Sequence, residues 1–350
     1  MGETMNALIV RAPMDFSIEK VKIPQVPDGG LMLKVLACGL CGSDLRTLRI
    51  GHRKVKFPFT IGHEICARVE NYGKEYNGSW KIGDTLAVSP LVYCGKCDFC
   101  LNGEYELCPN YKEIAQTWPG GFSEYMTLPK EAVERGTIQL VPKGMNPAHA
   151  TIVEPLSSCI NAQEKANVSA GDSVLIIGAG PIGTLHLELA RARGASQVIV
   201  ADISDDRLKL ASSYQPDLIV NTQKQDLNAE VLKATNGYGP DVIITANPDP
   251  ATQVAAVEIA RKGGRILIFG GLPKDKETPG INMNTVHYNA LHLIGTTIFA
   301  PRHNKTALEL LSSGGISAEK FISHQFKLTE FVEGAHLALE GKARKIVFIP

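Results

Sequence analysis

Cys94, Cys97, Cys100 and Cys108 follow one another as C-x2-C-x2-C-x7-C in a stretch rich in Gly, Asn and Pro. Four thiolates on a short irregular loop can close a tetrahedral zinc site with no open position. Such a site would hold a lobe at about residues 90–112 that has too little apolar surface to order itself. A disulfide framework is the other chemistry open to an even number of cysteines. The length of the chain and the tight spacing favour metal. A second donor set is scattered: Cys41-Gly42-Ser43-Asp44, Gly62-His63-Glu64 and Val153-Glu154-Pro155. Each alone is uninformative, but together they offer a thiolate, an imidazole and a carboxylate. Three protein ligands plus an open position describe a catalytic zinc.

Gly178-Ala179-Gly180-Pro181-Ile182-Gly183 is a third constellation. It follows an apolar run and opens a helical one. Gly178 permits the tight turn, Gly180 lets a pyrophosphate approach the backbone, and Gly183 allows close packing of helix on sheet. Pro181 and Ile182 start the helix, whose N-terminus faces the phosphates. Asp202 ends the next apolar run, where an acid binds the adenosine ribose hydroxyls and repels a 2′-phosphate, so NAD is favoured over NADP. Arg207, close by, is the kind of residue that instead accommodates such a phosphate.

The elements that must position these groups fall into two regimes. Residues 6–90 read as short apolar runs of strand length (Val21–Ile23, Leu31–Leu36, Glu64–Glu70, Thr85–Val88) separated by Gly and Pro, an all-β, barrel-like pattern. From about residue 170 the chain alternates strand-like and helical stretches: Ser173–Ile177, a helix over 182–193, Gln197–Ala201, a helix over 205–213, then Asp217–Asn221, Asp241–Ala246 and Arg265–Phe269. Continuous apolar strands in this order imply a parallel, doubly wound sheet. Leu291–Phe299 could close it, and two helical segments and a last strand-like run, Lys345–Ile349, end the chain. All eight cysteines precede residue 160, so the Cys-rich and Cys-free parts are expected to be different domains.

Composition excludes several partners. The chain of 350 residues carries 36 basic and 36 acidic side chains, and a net charge of zero argues against binding nucleic acid or an anionic membrane through bulk electrostatics. A hydrophobic share of 44% excludes a disordered chain, and no apolar run approaches the roughly 20 residues of a membrane helix. Met1–Asn6 carries neither a secretory pattern nor a myristoylation signal, and a cytoplasmic protein is expected.

Taken together, the chain resembles the zinc-dependent medium-chain dehydrogenase/reductase family, most of all its polyol and threonine dehydrogenase branch, over nearly its whole length. The resemblance implies an α/β two-domain fold. A GroES-like β-barrel catalytic domain with the structural zinc lobe would span 1–155, and a Rossmann NAD(H)-binding domain 156–298. Residues 299–350 would return to the first domain. It implies one catalytic and one structural Zn2+ per chain, a small-molecule alcohol or polyol substrate, and a homodimer or homotetramer. Carried over by motif, Cys41 and His63 ligate the catalytic zinc, either Glu64 or Glu154 completes the set, and Asp44 orients His63. Ser43 would take the alcohol proton and pass it outward. Arg46 stands where polyol and threonine members often carry a relay histidine, and His52 is the candidate substitute. The expected reaction interconverts a secondary alcohol and a ketone. A threonine-type amino alcohol dehydrogenase is the alternative, and an inactive dinucleotide-binding protein a remote one.

One stretch departs from the even charge balance. Between Leu45 and His63 stand Arg46, Arg49, His52, Arg53, Lys54 and Lys56, with no acid. It reads either as a solvated or subunit-contact loop, or as a site for an anionic substrate group such as a phosphate, which arginine grips bidentately.

Overall fold

The computed structural model describes residues 3–350, and the reading of Met1 and Gly2 falls outside it. Among the described residues two compact units emerge, one running to residue 157 and resuming over 298–350, the other of residues 158–297.

In the first unit, strand Leu31–Gly39 pairs antiparallel with Glu64–Tyr72, which pairs in turn with Thr85–Val92. The chain's last strand, Ile346–Ile349, joins the other edge of Leu31–Gly39, and His324–Lys327 lies parallel beside it. The runs expected at 31–36, 64–70 and 85–88 are thus strands, each longer than its apolar stretch. Leu33, Ile65, Leu86, Phe122 and Phe348 fill the interior. Phe122, Phe331 and Phe348 pack with ring centroids 4.6 to 5.6 Å apart, a geometry in which aromatic faces and edges attract.

The structure corrects four expectations in this unit. Residues 6–90 are not all strand: Gly42–Ile50 is a helix that carries Ser43 and Asp44. Its start is fixed because the Asp44 carboxylate accepts from the Cys41 amide at 3.0 Å, satisfying an amide the helix leaves unpaired. The run at 21–23 is only the end of a longer hairpin, Thr4–Ala12 with Asp15–Lys22. The C-terminal region holds three helical segments, Pro301–Ser312, Ala318–Phe321 and Phe331–Leu339, rather than two. Its last strand begins at Ile346, because the Lys345 side chain turns into the interior and bonds the Leu40 carbonyl.

The second unit is a six-stranded, wholly parallel sheet. Its order is Leu218–Asn221, Gln197–Asp202, Ser173–Ile177, Val242–Thr245, Arg265–Ile268 and His292–Gly295. The order reverses beside Ser173–Ile177, the switch point at which such sheets bind nucleotides. Val174, Leu175, Ile176, Ile243 and Ile244 are fully buried, as a sheet covered on both faces requires. The closing strand is four residues rather than the nine of Leu291–Phe299: Gly295 ends it, and Ile298 adopts a positive φ of 46° that turns the chain away. Cys159 belongs to this unit, so cysteines are not confined to the first.

Candidate active site and zinc centres

Cys41, His63 and Glu64 converge, with ligand atoms within 4.8 Å of one another. Cys41 is placed by the helix start described above. His63 and Glu64 stand where strand Glu64–Tyr72 begins, after Gly62. A Cβ on Gly62 would meet the Phe122 ring at 2.7 Å, and its φ of +101° suits only glycine comfortably. On the facing strand, a Cβ on Gly39 would lie 2.0 Å from a Glu64 carboxylate oxygen. Glycine there is what makes room for a buried acid.

The two nitrogens of His63 have different neighbours. Nδ1 lies 3.3 Å from Asp44 Oδ1 and Nε2 lies 3.5 Å from the Ser43 hydroxyl. Asp44 is almost wholly buried, and its other oxygen is committed to the Cys41 amide. Such a carboxylate fixes the proton on Nδ1 and leaves Nε2 to take a cation. Burial alone would lower the His63 pKa, but Asp44 and Cys41 together carry it well above its ordinary value. The group therefore favours positive charge at its centre, as a zinc site of thiolate, imidazole and carboxylate does.

Two carboxylates compete for the remaining place. Glu64 is fully buried, and one of its oxygens is ion-paired with the buried ammonium of Lys345. Glu154 opens the helix Val153–Lys165, is half-buried, and makes no hydrogen bond or ion pair among the described residues. Burial pushes its carboxyl up to about 7, against the pull of His63 and Lys345.

The four cysteines of the loop also gather within 4.8 Å, with Cys94 Sγ and Cys100 Sγ 3.9 Å apart and no disulfide among them. A tetrahedron of sulfurs at the zinc–thiolate bond length has edges of about 3.8 Å. The backbone N–H of Lys96 holds the Cys94 thiol down, at about 6, and the Cys94 amide donates to Cys108 Sγ at 3.4 Å. Both donor groups fit zinc.

In the second unit, Gly178 has a φ of +116°, and a Cβ there would press on the Ala246 carbonyl at 2.8 Å. A Cβ on Gly183 would lie 1.8 Å from the Gly178 carbonyl oxygen, whereas nothing stands within 4 Å in front of Gly180. The helix Pro181–Ala192 has no side-chain cap, so its first amides point outward, as an anion-binding helix start requires. Asp202 is buried and accepts from the Ala179 amide at 2.7 Å and the Ser204 amide at 2.9 Å. Arg207 Nη1 lies 3.9 Å away.

Among the described residues no hydrogen bond joins His52 to Ser43. Its ring accepts from the Lys54 amide at 3.3 Å, and burial, Arg46, Lys54 and Arg53 lower its pKa. Arg46 is exposed on the helix one turn beyond Ser43. Two residues at the site escape a reading of the sequence. Lys345 has no local signal, because its partner Glu64 lies at the other end of the chain. Glu113 is buried on a two-residue strand; burial pushes its carboxyl up, and Lys54 and His63 pull it back.

The family model for the alcohol dehydrogenase GroES-like domain matches residues 27–138, and that for the zinc-binding dehydrogenase matches residues 181–313. Sorbitol dehydrogenase of Bacillus subtilis is 31% identical over 97% of this chain and 95% of its own length. The chain belongs to the zinc-dependent medium-chain dehydrogenase family. L-threonine 3-dehydrogenase of Pyrococcus horikoshii is 32% identical over 100% of the chain and 99% of its own. The crystal structure of a zinc-binding dehydrogenase of Sinorhizobium meliloti bound to NADP superposes with a TM-score of 0.90 at 28% identity, covering 99% of this chain and 100% of that one. As a member of this family the protein is an oxidoreductase of the alcohol dehydrogenase type. It uses zinc and NAD(H) and acts on a small-molecule alcohol. Its two units are the GroES-like and Rossmann domains of that fold. No helix among the described residues is long and apolar enough to cross a membrane.

Proposed function

We propose that the enzyme interconverts a secondary alcohol of a polyol and the corresponding ketone. The observation that carries this reading is the convergence of Cys41, His63 and Glu64 around one point, with the Ser43 hydroxyl against His63 and the Glu154 carboxyl in the field of His63. Cys41, His63 and Glu154 would hold the catalytic zinc. Glu64 is committed to Lys345, whereas Glu154 has no partner of its own. Cys94, Cys97, Cys100 and Cys108 would hold the structural one. Zinc held there would supply a Lewis acid that lowers the pKa of a carbinol, and NAD(H) would supply the hydride acceptor.

The chain's own residues do the remaining work. Asp44 keeps the imidazole of His63 in one tautomer and orientation. The Ser43 hydroxyl, 3.5 Å from His63 Nε2, would accept a hydrogen bond from the carbinol and orient it. Gly178, Gly180, Pro181, Ile182 and Gly183 cradle the pyrophosphate, and Asp202 with Arg207 reads the adenosine ribose. A carboxylate beside the metal, with Glu113 in the same field, makes the site more hydrophilic than a second thiolate would. That character suits a substrate with several hydroxyls, in keeping with the sorbitol dehydrogenase relative. We place the enzyme in a reducing, cytoplasmic setting, where thiols such as those of Cys94, Cys97, Cys100 and Cys108 stay available to a metal. We place the contact of a homo-oligomer at the edge strand His292–Gly295, which pairs with a neighbouring strand on one side only among the described residues.

Measuring NAD reduction with sorbitol, other polyols and L-threonine tests the reading. Turnover of a polyol with a ketone product is expected. Oxidation of L-threonine alone would replace this reading with the amino alcohol one.

A further inference from the structure

The buried side chain of Lys345 ends on two acceptors. Its ammonium donates to the Leu40 carbonyl at 3.1 Å and is ion-paired with the Glu64 carboxylate. Each acceptor belongs to a residue beside a proposed zinc ligand: Leu40 precedes Cys41, and Glu64 follows His63. The ligand atoms of Cys41, His63 and Glu64 lie within 4.8 Å of one another, so the ammonium is bonded to a carboxylate of the centre itself. Such a pair needs a reason other than stability. Taking two charges out of water costs about as much as their attraction returns, and apolar side chains of the same volume would hold the fold as well. What an apolar pair lacks is direction: an ammonium has three N–H donors on one nitrogen and can bracket two acceptors at once.

The bracket is itself held. The Ser323 hydroxyl accepts from the Arg344 amide at 3.0 Å and the Lys345 amide at 3.1 Å, and donates to the Lys345 carbonyl at 3.0 Å. The strand that follows is fastened to the residues just before Cys41. The Leu40 amide donates to the Ile346 carbonyl at 2.9 Å, Val347 pairs with Gly39, and Phe348 pairs with Cys38. Glu64 has no such support: its second oxygen makes no hydrogen bond among the described residues. Asp44 already links the two ligands once, through the Cys41 amide at 3.0 Å and His63 Nδ1 at 3.3 Å. Lys345 links them a second time, through the residues that flank them. Two ties fix a separation that a single tie leaves free to pivot.

We propose that Lys345 is a positioning residue for the catalytic zinc: by bracketing the Leu40 carbonyl and the Glu64 carboxylate, it sets the separation of Cys41 and His63 that the metal requires. No step of the reaction passes through Lys345. Its effect is on how tightly the metal is held. The inference rests on the reading of Cys41 and His63 as zinc ligands, and its test separates the two.

The zinc affinity of the catalytic site is measured on the full-length enzyme by competition with a chelator, with urea unfolding alongside. Lys345→Met alone is a poor test, because it leaves an uncompensated negative charge beside the metal. Combining Lys345→Met with Glu64→Gln removes one charge of each sign, nearly keeps the side-chain volumes and abolishes the bracket. This double variant is expected to hold the catalytic zinc about 10–100-fold more weakly than wild type, with the lobe zinc unaffected, although it is more stable than Lys345→Met. A residue that only supports the fold would have affinity recover together with stability, and a wild-type affinity in the double variant overturns the proposal. Ser323→Ala is a milder variant that frees the backbone of residues 344–345 without touching a charge or a ligand. Its zinc affinity is expected to fall about threefold or more, the equivalent of about one lost hydrogen bond. Should the double variant fail to fold, an unchanged affinity in Ser323→Ala overturns the proposal. Cys41→Ser tests the reading underneath. If it loses the second zinc while the double variant binds as tightly as wild type, the role of Lys345 falls and the centre stands. If Cys41→Ser keeps two zincs per chain, the reading of the centre falls, and the proposal with it.

Discussion

Lys345 and Glu64, from opposite ends of the chain, form a buried ion pair one residue from His63. The ammonium also donates to the Leu40 carbonyl at 3.1 Å, and Glu64 keeps its place because the facing residue is Gly39. The pair ties the C-terminal strand to the strand that carries His63. It also adds one positive charge to a site rich in carboxylates. Burial alone would favour a neutral lysine, but Glu64 first, and Cys41 and Glu154 with it, keep Lys345 charged well into the alkaline range.

Removing one partner leaves the other as a lone buried charge. Lys345→Met should therefore destabilise the protein by about 3–5 kcal/mol, and adding Glu64→Gln should restore much of the loss. Urea unfolding of the zinc-loaded single and double variants measures this. A double variant no more stable than Lys345→Met would show that the pair acts by packing alone.

The cysteine lobe should behave as a structural zinc site. Atomic emission on the purified enzyme is expected to give two zincs per chain, and Cys100→Ser to remove one of them. Residues 94–108 should then become the preferred site of limited proteolysis, because the lobe's order comes from the metal rather than from an apolar core. A Cys100→Ser protein that retains both zincs would contradict the assignment.

Asp44→Asn keeps the shape of the side chain but removes the charge that faces His63 Nδ1. Losing such a partner typically lowers metal affinity or activity about 10–100-fold. The zinc affinity of the catalytic site, followed by competition with a chelator, should fall in that range while the lobe zinc is unaffected. An unchanged affinity would mean that His63 is held by packing.

Much of this architecture is legible in the sequence, and the failures have physical causes. Ser173–Ile177 and its neighbours show up because a strand buried on both faces is apolar at every position. The helix Gly42–Ile50 does not, because its buried face carries Asp44 and Thr47 along with Leu48 and so shows no apolar period. Cys41, His63 and the cysteine lobe are recognisable from residue type and spacing. Lys345 is invisible to any local reading, since only the antiparallel pairing of Val347 with Gly39 brings it to Glu64. The closing strand of the parallel sheet is overestimated because apolarity continues through Ile298 and Phe299 after the chain has already turned.

A buried imidazole should make the nucleotide-binding unit acid-sensitive. His186 is fully buried, hydrogen-bonds with Gln163 at 3.2 Å, and is pushed down to about 3 by burial. Its folded pKa lies below the unfolded value near 6.5, so between those values the unfolded chain binds a proton that the native one does not. Stability from this group is complete above about pH 6.5 and declines by about 1.4 kcal/mol per pH unit as the pH falls below it. Equilibrium unfolding of wild type and His186→Gln between pH 7 and about pH 5 should show a shallower slope in the variant. Parallel slopes would contradict this account of the group.

Cys41, His63 and Glu154 would hold the zinc that activates a secondary carbinol, whose hydride would pass to the nicotinamide. The most direct measurement follows the label from a polyol deuterated at its secondary carbons, using wild type and Cys41→Ser. Wild type should deliver deuterium to the reduced nicotinamide and release a ketose. Cys41→Ser, with its lobe zinc intact, should lose both by about a thousandfold or more, since the Lewis acid supplies several kcal/mol of the barrier reduction. Label transfer that survives undiminished in Cys41→Ser would contradict the account.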